Sequence, residues 1–386
     1  MRGALREAAA RAALVLAAIG LVLLAAEGAL RVSGWEPEAF HPPLRIFDAD
    51  RTLLLDCYPS DPRRYFDVDL RDPAVYSRYA ERGVRRLARA RGRAPHCVEV
   101  RYNSDRFRGG EVPPRRPGVR RVMVLGDSFS EGQGVREPDT WPRRLEEHLN
   151  HGANQRFEVV SGAHRASDFP ELHAWFYRLL NHEPDLVIYA MVMNDAEQSA
   201  AFRERTRQVQ DWITVRGRAT RGRYRGLALL ESRLGFLVRE RLALFRIDRA
   251  TRRWYRELYS EPNQAGWRET RRRIRDMDQR MRMRNGRLLV ARWPLLAGLP
   301  GRYPFAETHE RIGAFLEAAG IASHDLLPAL NGERTGALIV HPADHHPNER
   351  AHRLAAESLA PAVRELIREL AAVRPDRIPP PAEPPR

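Results

Sequence analysis

Ser128, His346 and Asp344 are the side chains of this sequence that fit together as one piece of chemistry. A serine hydroxyl attacks only weakly until a base takes its proton, and an imidazole does this best when an acid fixes its tautomer. Ser128 lies in "VMVLGDSFSEGQGV", where four apolar residues run straight into Gly-Asp-Ser. His346 lies in "HPADHHPNERAH", residues 341 to 352, and Asp344 precedes it by two positions. So arranged, Ser128 would attack an ester carbonyl, while His346 takes its proton and later hands it to the leaving alcohol. Asp344 would hold the ring. Pro347 suits the first position of a closing helix, which would fix His346 at its mouth. The developing oxyanion needs donors. The Ser128 and Gly162 backbone N–H groups and the Asn194 amide are the candidates, and losing one such donor typically costs about 3–4 kcal/mol.

These residues need elements to hold them. From residue 119 onward, short apolar runs alternate with amphipathic stretches. "RVMVLG" precedes a helix expected from about Pro138, and "FEVVSG" precedes one from about Pro170. "DLVIYAMVM" follows, then "GRLLVARWPLL" and "GIASHDLL". Runs this apolar do not suit strands with one wet face, so they predict a parallel sheet covered by helices on both sides, an α/β fold. In open parallel sheets, ligands bind at the carboxyl ends of the strands. Ser128, Gly162 and Asn194 all fall at such ends.

Each motif taken singly is weak. Gly-Asp-Ser occurs by chance and favours turns, and Asn-Asp commonly caps a helix. Four blocks in order are a stronger signal. "GDSFSEGQGV", Gly162 in "VVSGA", Asn194 in "MVMND" and "DHHPNERAH" together resemble the SGNH hydrolase superfamily, or GDSL-type esterases. "YNSDRFRG" and "TWPRRLEEHL" resemble its membrane-anchored bacterial members. The resemblance covers roughly residues 98–200 and 286–372, and implies a flavodoxin-like three-layer α/β/α sandwich acting on esters, with the roles just given. Two departures stand out. The family often has its acid three residues before the histidine, and that position is Ala343 here. Where many members have Asn and a second glycine, this chain has Ser161 and "HRASDF". An α/β-hydrolase elbow requires Gly-x-Ser-x-Gly, but position 130 is serine.

His341, Asp344, His345, His346 and His352 are also the residue types of a zinc site. Adjacent histidines point in different directions and no second ligand group stands out, so no metal or other cofactor is expected. His345 is the alternative base, although the His-Pro-Asn context favours His346.

The composition removes other chemistries. All 65 basic residues among the 386 are arginine. Without lysine there is no P-loop lysine, no Schiff base, no kinase lysine and no Ser-Lys dyad. The net charge of +15 fits nucleic acid or anionic lipid, but an arginine-biased composition explains it more simply, and no nucleic-acid partner is expected. Residues 12 to 26 carry no charge and follow Arg2, Arg6 and Arg11. They read as an uncleaved signal anchor over 11–31 in the inner membrane, the alternative being a cleaved signal peptide, with 1–10 cytoplasmic and the remaining chain exported to the periplasm or cell exterior. Glu27 and Arg31 sit one helical turn apart. In that compartment Cys57 and Cys97 are expected to pair, the alternative being two buried thiols.

Residues 32–118 read as an extension packed on the core, and 119–372 as the hydrolase domain. A mainly helical insertion over about 203–285 interrupts that domain, and 373–386 read as a proline-rich disordered tail. The expected substrate is a small-molecule, lipid or glycan ester. Acyl transfer to a polysaccharide by the same triad, and a non-catalytic anchored binding module, are the competing functions.

Overall fold

Val122 to Leu125 expose no surface, because strand β4 (Val119–Gly126) runs through the middle of a sheet covered on both faces. The structure, a computed structural model, describes residues 2–34, 44–48, 50–58, 96–152, 155–165, 167–206, 232–341 and 344–373. It divides into two units, residues 1–41 with 208–251, and residues 42–207 with 252–386.

The larger unit holds a five-stranded parallel sheet. Its order is β5 (Arg156–Ser161), β4, β6 (Leu186–Val192), β7 (Arg287–Trp293) and β8 (Ala322–Asp325). The chain steps outward once from β4 to β5, then returns past β4 and continues the other way. Right-handed crossovers therefore place helices on opposite faces. Helices α3 (Trp141–Asn150) and α9 (Glu349–Val373) pack together on one face. The other face carries α4 (Phe169–Leu179), α7 (Gln264–Met283) and α8 (Ala306–Ala318). This is the three-layer α/β/α sandwich that the apolar runs predict. Between β4 and β6 the strand order reverses, which opens a crevice at their carboxyl ends.

The described residues between β6 and β7 are mainly helical, and they fall in both units. Only residues 208–251 of the expected insertion cluster apart from the sheet unit. Helix α7 is the crossover from β6 to β7, and it buries Trp267, Ile274, Met277 and Met281 at helical spacing. The run "VRGRATRGRYRG" lies outside the described residues, as does the tail beyond Val373.

Within residues 42–118, the described part forms an antiparallel sheet of β1 (Leu44–Phe47), β2 (Leu53–Tyr58) and β3 (His96–Arg101). Cys57 and Cys97 are directly opposed on β2 and β3 and form a disulfide. Leu54, Tyr58, Val98 and Val100 share one apolar cluster with Val135 and Val340, which lie beyond residue 118. The extension therefore packs against the chain that follows it. Closing a loop over a sequence separation of 40 restricts the unfolded chain by about 4 kcal/mol in the entropic account. Cys57→Ser/Cys97→Ser is expected to lose stability of that order, read as a lower urea midpoint that matches the reduced wild type.

The smaller unit contains α1 (Arg2–Val32), and its segment Arg6–Val32 is long and apolar enough to cross a membrane, with a mean hydropathy of 2.3. Its 27 residues make about 40 Å of helix, against a hydrocarbon core of about 30 Å. Glu27 meets Arg31 at 2.7 Å, as their spacing predicts. The same carboxylate accepts the Arg233 and Leu234 N–H groups at 3.0 and 2.8 Å, capping the start of α6 (Arg233–Glu257).

Candidate active site

The turn after β4 is built for a tight exit. A Cβ at Gly126 would come within 2.5 Å of the Ser130 hydroxyl, so the strand can leave the sheet here only through glycine. Asp127 then caps the single helical turn α2 (Ser128–Glu131), its carboxylate accepting the Phe129 N–H at 2.9 Å. This geometry places Ser128 at the head of the turn, at the crevice end of β4.

The histidine arrives from the opposite end of the sequence. Asp344 and His346 lie on β10 (Asp344–Pro347), which pairs with β9 (Ile339–His341). Pro347 thus ends a strand and does not begin the closing helix. Asn348 caps α9 instead, its side-chain oxygen accepting the Arg350 and Ala351 N–H groups at 3.0 and 3.1 Å. His346 Nε2 lies 2.7 Å from Ser128 Oγ. The ring packs on Phe129, with centroids 5.4 Å apart, and its Nδ1 meets Asp344 Oδ1.

Asp344 is 3% exposed and its second oxygen is also occupied. Gln133 Nε2 donates to Oδ2 at 2.7 Å and the Tyr58 hydroxyl donates to it at 2.9 Å. Burial alone would raise this carboxyl's pKa. The His346 charge and the hydrogen bonds from His346 and Gln133 win, holding it well below the usual carboxylate range. Arg45 donates to Gln133 Oε1 at 2.7 Å, so the amide presents its nitrogen to Asp344. Behind Arg45 is a buried ion cluster. Asp56 lies 3.6 Å from Arg45 and 2.7 Å from Arg165, which also pairs with Glu131. Tyr58, Arg45 and Gln133 were not among the sequence candidates.

Gly162 does not fill its expected role. Its N–H donates to Val124 O at 2.9 Å, extending the β4–β5 ladder by one rung. The glycine is needed for space, since a Cβ there would collide with the Leu179 side chain. Asn194 is exposed just past the end of β6, with its side chain beside the Asp127 carboxylate. His352, by contrast, is fully buried. Its Nδ1 accepts the Trp141 N–H at 3.0 Å, and burial, helped by Arg108, pushes its pKa down to about 3. It is a neutral structural imidazole. Among the described residues, no group of three His, Cys, Asp or Glu side chains is placed to hold a metal.

Beside the site Asp195 is 1% exposed, and its Oδ1 has no partner among the described residues. Its Oδ2 accepts the Tyr189 hydroxyl at 2.9 Å and the Val192 N–H at 3.0 Å. Burial, and then the Asp127 charge, pushes its pKa well above the usual range. The folded chain therefore keeps a proton that the unfolded chain releases near pH 4. That stabilisation is complete below the unfolded pKa and is lost as pH rises toward the folded one. Asp195→Asn is neutral throughout. Raising the pH from 4 is expected to change the urea midpoint more favourably for the variant than for the wild type.

No family model and no curated protein matches the sequence. Among solved structures, the chain is similar to TesA, with 16% identity over 64% of this chain and 99% of that one, at a TM-score of 0.39. A G-D-S-L family lipolytic protein from Desulfitobacterium hafniense shows 14% identity over 62% and 98%, with a TM-score of 0.37. A catalytic mutant of Axe2, an acetylxylan esterase from Geobacillus stearothermophilus, shows 13% identity over 66% and 96%, with a TM-score of 0.39. With scores this low, the functional reading of this chain rests on its own geometry.

Proposed function

We propose that this chain is a membrane-anchored, extracytoplasmic serine hydrolase that cleaves carboxylic esters. The observation that carries the reading is the 2.7 Å approach of Ser128 Oγ to His346 Nε2, with Asp344 on the far ring nitrogen. As Ser128 Oγ bonds to the ester carbon, its proton passes to His346 Nε2. The Ser128 N–H and the Asn194 amide hold the negative oxygen of the tetrahedral intermediate. The carbon–oxygen bond to the alcohol then breaks, and His346 protonates the departing alkoxide. Water, deprotonated by the same imidazole, releases the acid and restores Ser128. The Gly-Asp-Ser turn, Asn194 and the Asp-His-His block follow one another as in the SGNH superfamily, which supports this assignment. Helix α1 is the anchor, with its leading arginines on the cytoplasmic side.

The test uses the full chain in detergent with a short-chain nitrophenyl ester and a fluorophosphonate probe. Turnover together with covalent labelling is expected. Failure of both would refute the proposal.

A further inference from the structure

We infer that Tyr58 and Gln133, set by Arg45, are positioning residues for the Asp344–His346 pair, so that the N-terminal sheet is a working part of the active site. The inference rests on the serine-hydrolase reading above.

A triad acid has two oxygens, and one on the histidine leaves the other to be satisfied or to rotate. Here Oδ1 faces His346 Nδ1, while Oδ2 takes both the Gln133 amide and the Tyr58 hydroxyl. Two donors on one oxygen fix the carboxylate plane, and through it the imidazole plane. Neither donor comes from the segment that carries Asp344. Tyr58 ends β2 next to the disulfide-bonded Cys57, so the covalent link between β2 and β3 also restrains this donor. Gln133 follows the Ser128 turn. Its amide orientation is dictated by Arg45 on β1, which donates to Oε1 and so leaves Nε2 for Asp344. The neighbouring Gly134 shows how closely the two modules fit. It adopts φ +76, and a Cβ there would stand 2.6 Å from both Tyr58 Oη and Val340 Cγ1.

The groups facing the imidazole are Ser128, Phe129, Gln133 and Asp344, and Asp127 acts on it through its charge. Hydrogen bonds to Asp344 Oδ2 draw electron density from the carboxylate. Removing one leaves the carboxylate more basic, and so better able to hold a proton on His346. The acid limb of the labelling profile would then move to higher pH.

The experiment measures the rate of fluorophosphonate labelling against pH for the full chain, Tyr58→Phe, Gln133→Leu and Arg45→Ala. Tyr58→Phe keeps the ring in its cluster and removes only the hydroxyl, which protects the test should Gln133→Leu fold poorly. In each variant labelling is expected to be about tenfold slower at neutral pH, with the acid limb moved upward by several tenths of a pH unit. Arg45→Ala should show the smallest change. Rates and limbs that superimpose on the wild type would overturn the inference. So would a uniform slowing with the limb unmoved, because that is the mark of a merely structural role. A wild type that does not label at all would instead sink the serine-hydrolase reading.

Discussion

Ser128→Ala is expected to abolish ester turnover, by about 10⁶-fold in kcat if the triad works as a unit. The residual rate would come from the oxyanion donors and substrate binding, neither of which needs the hydroxyl. Removing one half-buried hydroxyl should leave the fold unchanged, because α2 is held by Asp127 and Gly126, not by Ser128 Oγ. An unaltered urea midpoint alongside the lost turnover is the expected pair of results. Turnover within tenfold of wild type would remove Ser128 from the chemistry.

The second large effect is expected from Asp344→Asn. The Tyr58 hydroxyl and Gln133 Nε2 both donate to position 344, so an asparagine there would turn its carbonyl oxygen toward them and its NH₂ toward His346. His346 Nδ1 would then accept a hydrogen bond, and the ring proton would move to Nε2. That tautomer cannot take the Ser128 proton. A loss of about 10⁴-fold in kcat follows, with KM little changed, since Asp344 is buried away from substrate. Steady-state kinetics on the nitrophenyl ester would check the split. A kcat within a few-fold of wild type would mean that another group orients His346.

The parts of the site that were legible in the sequence are those written in short local motifs. Gly-Asp-Ser after an apolar run fixes a strand, a turn and a half-buried hydroxyl within a few residues. Asp344 and His346, two apart on one strand, are equally local. The parallel sheet was readable because strands buried on both faces must be apolar throughout, as Leu186–Val192 is. What could not be read was the support. Tyr58 meets Asp344 across 286 positions and Gln133 meets it across 211, and nothing local marks either donor. A segment rich in Pro, Arg and Tyr shows little periodicity, so the three-stranded sheet that delivers Tyr58 left no pattern.

The misreadings have physical causes too. A glycine at a strand end looks like a free backbone donor, but at Gly162 the missing Cβ makes room for Leu179 while the N–H completes the ladder. Proline suits both a first helical turn and the last residue of an edge strand, and at Pro347 the second applies, with Asn348 taking over as the cap. The expected insertion over about 203–285 was read as one helical block. The buried stripe of Trp267, Ile274, Met277 and Met281 is what separates α7 from the rest.

The most direct measurement is to find where a fluorophosphonate probe attaches, by mass spectrometry of the digested full chain. A single phosphonylated peptide carrying residue 128, formed in the wild type and absent after His346→Ala, is the predicted result. An adduct on any other side chain, or one that forms as fast without the imidazole, would contradict the account.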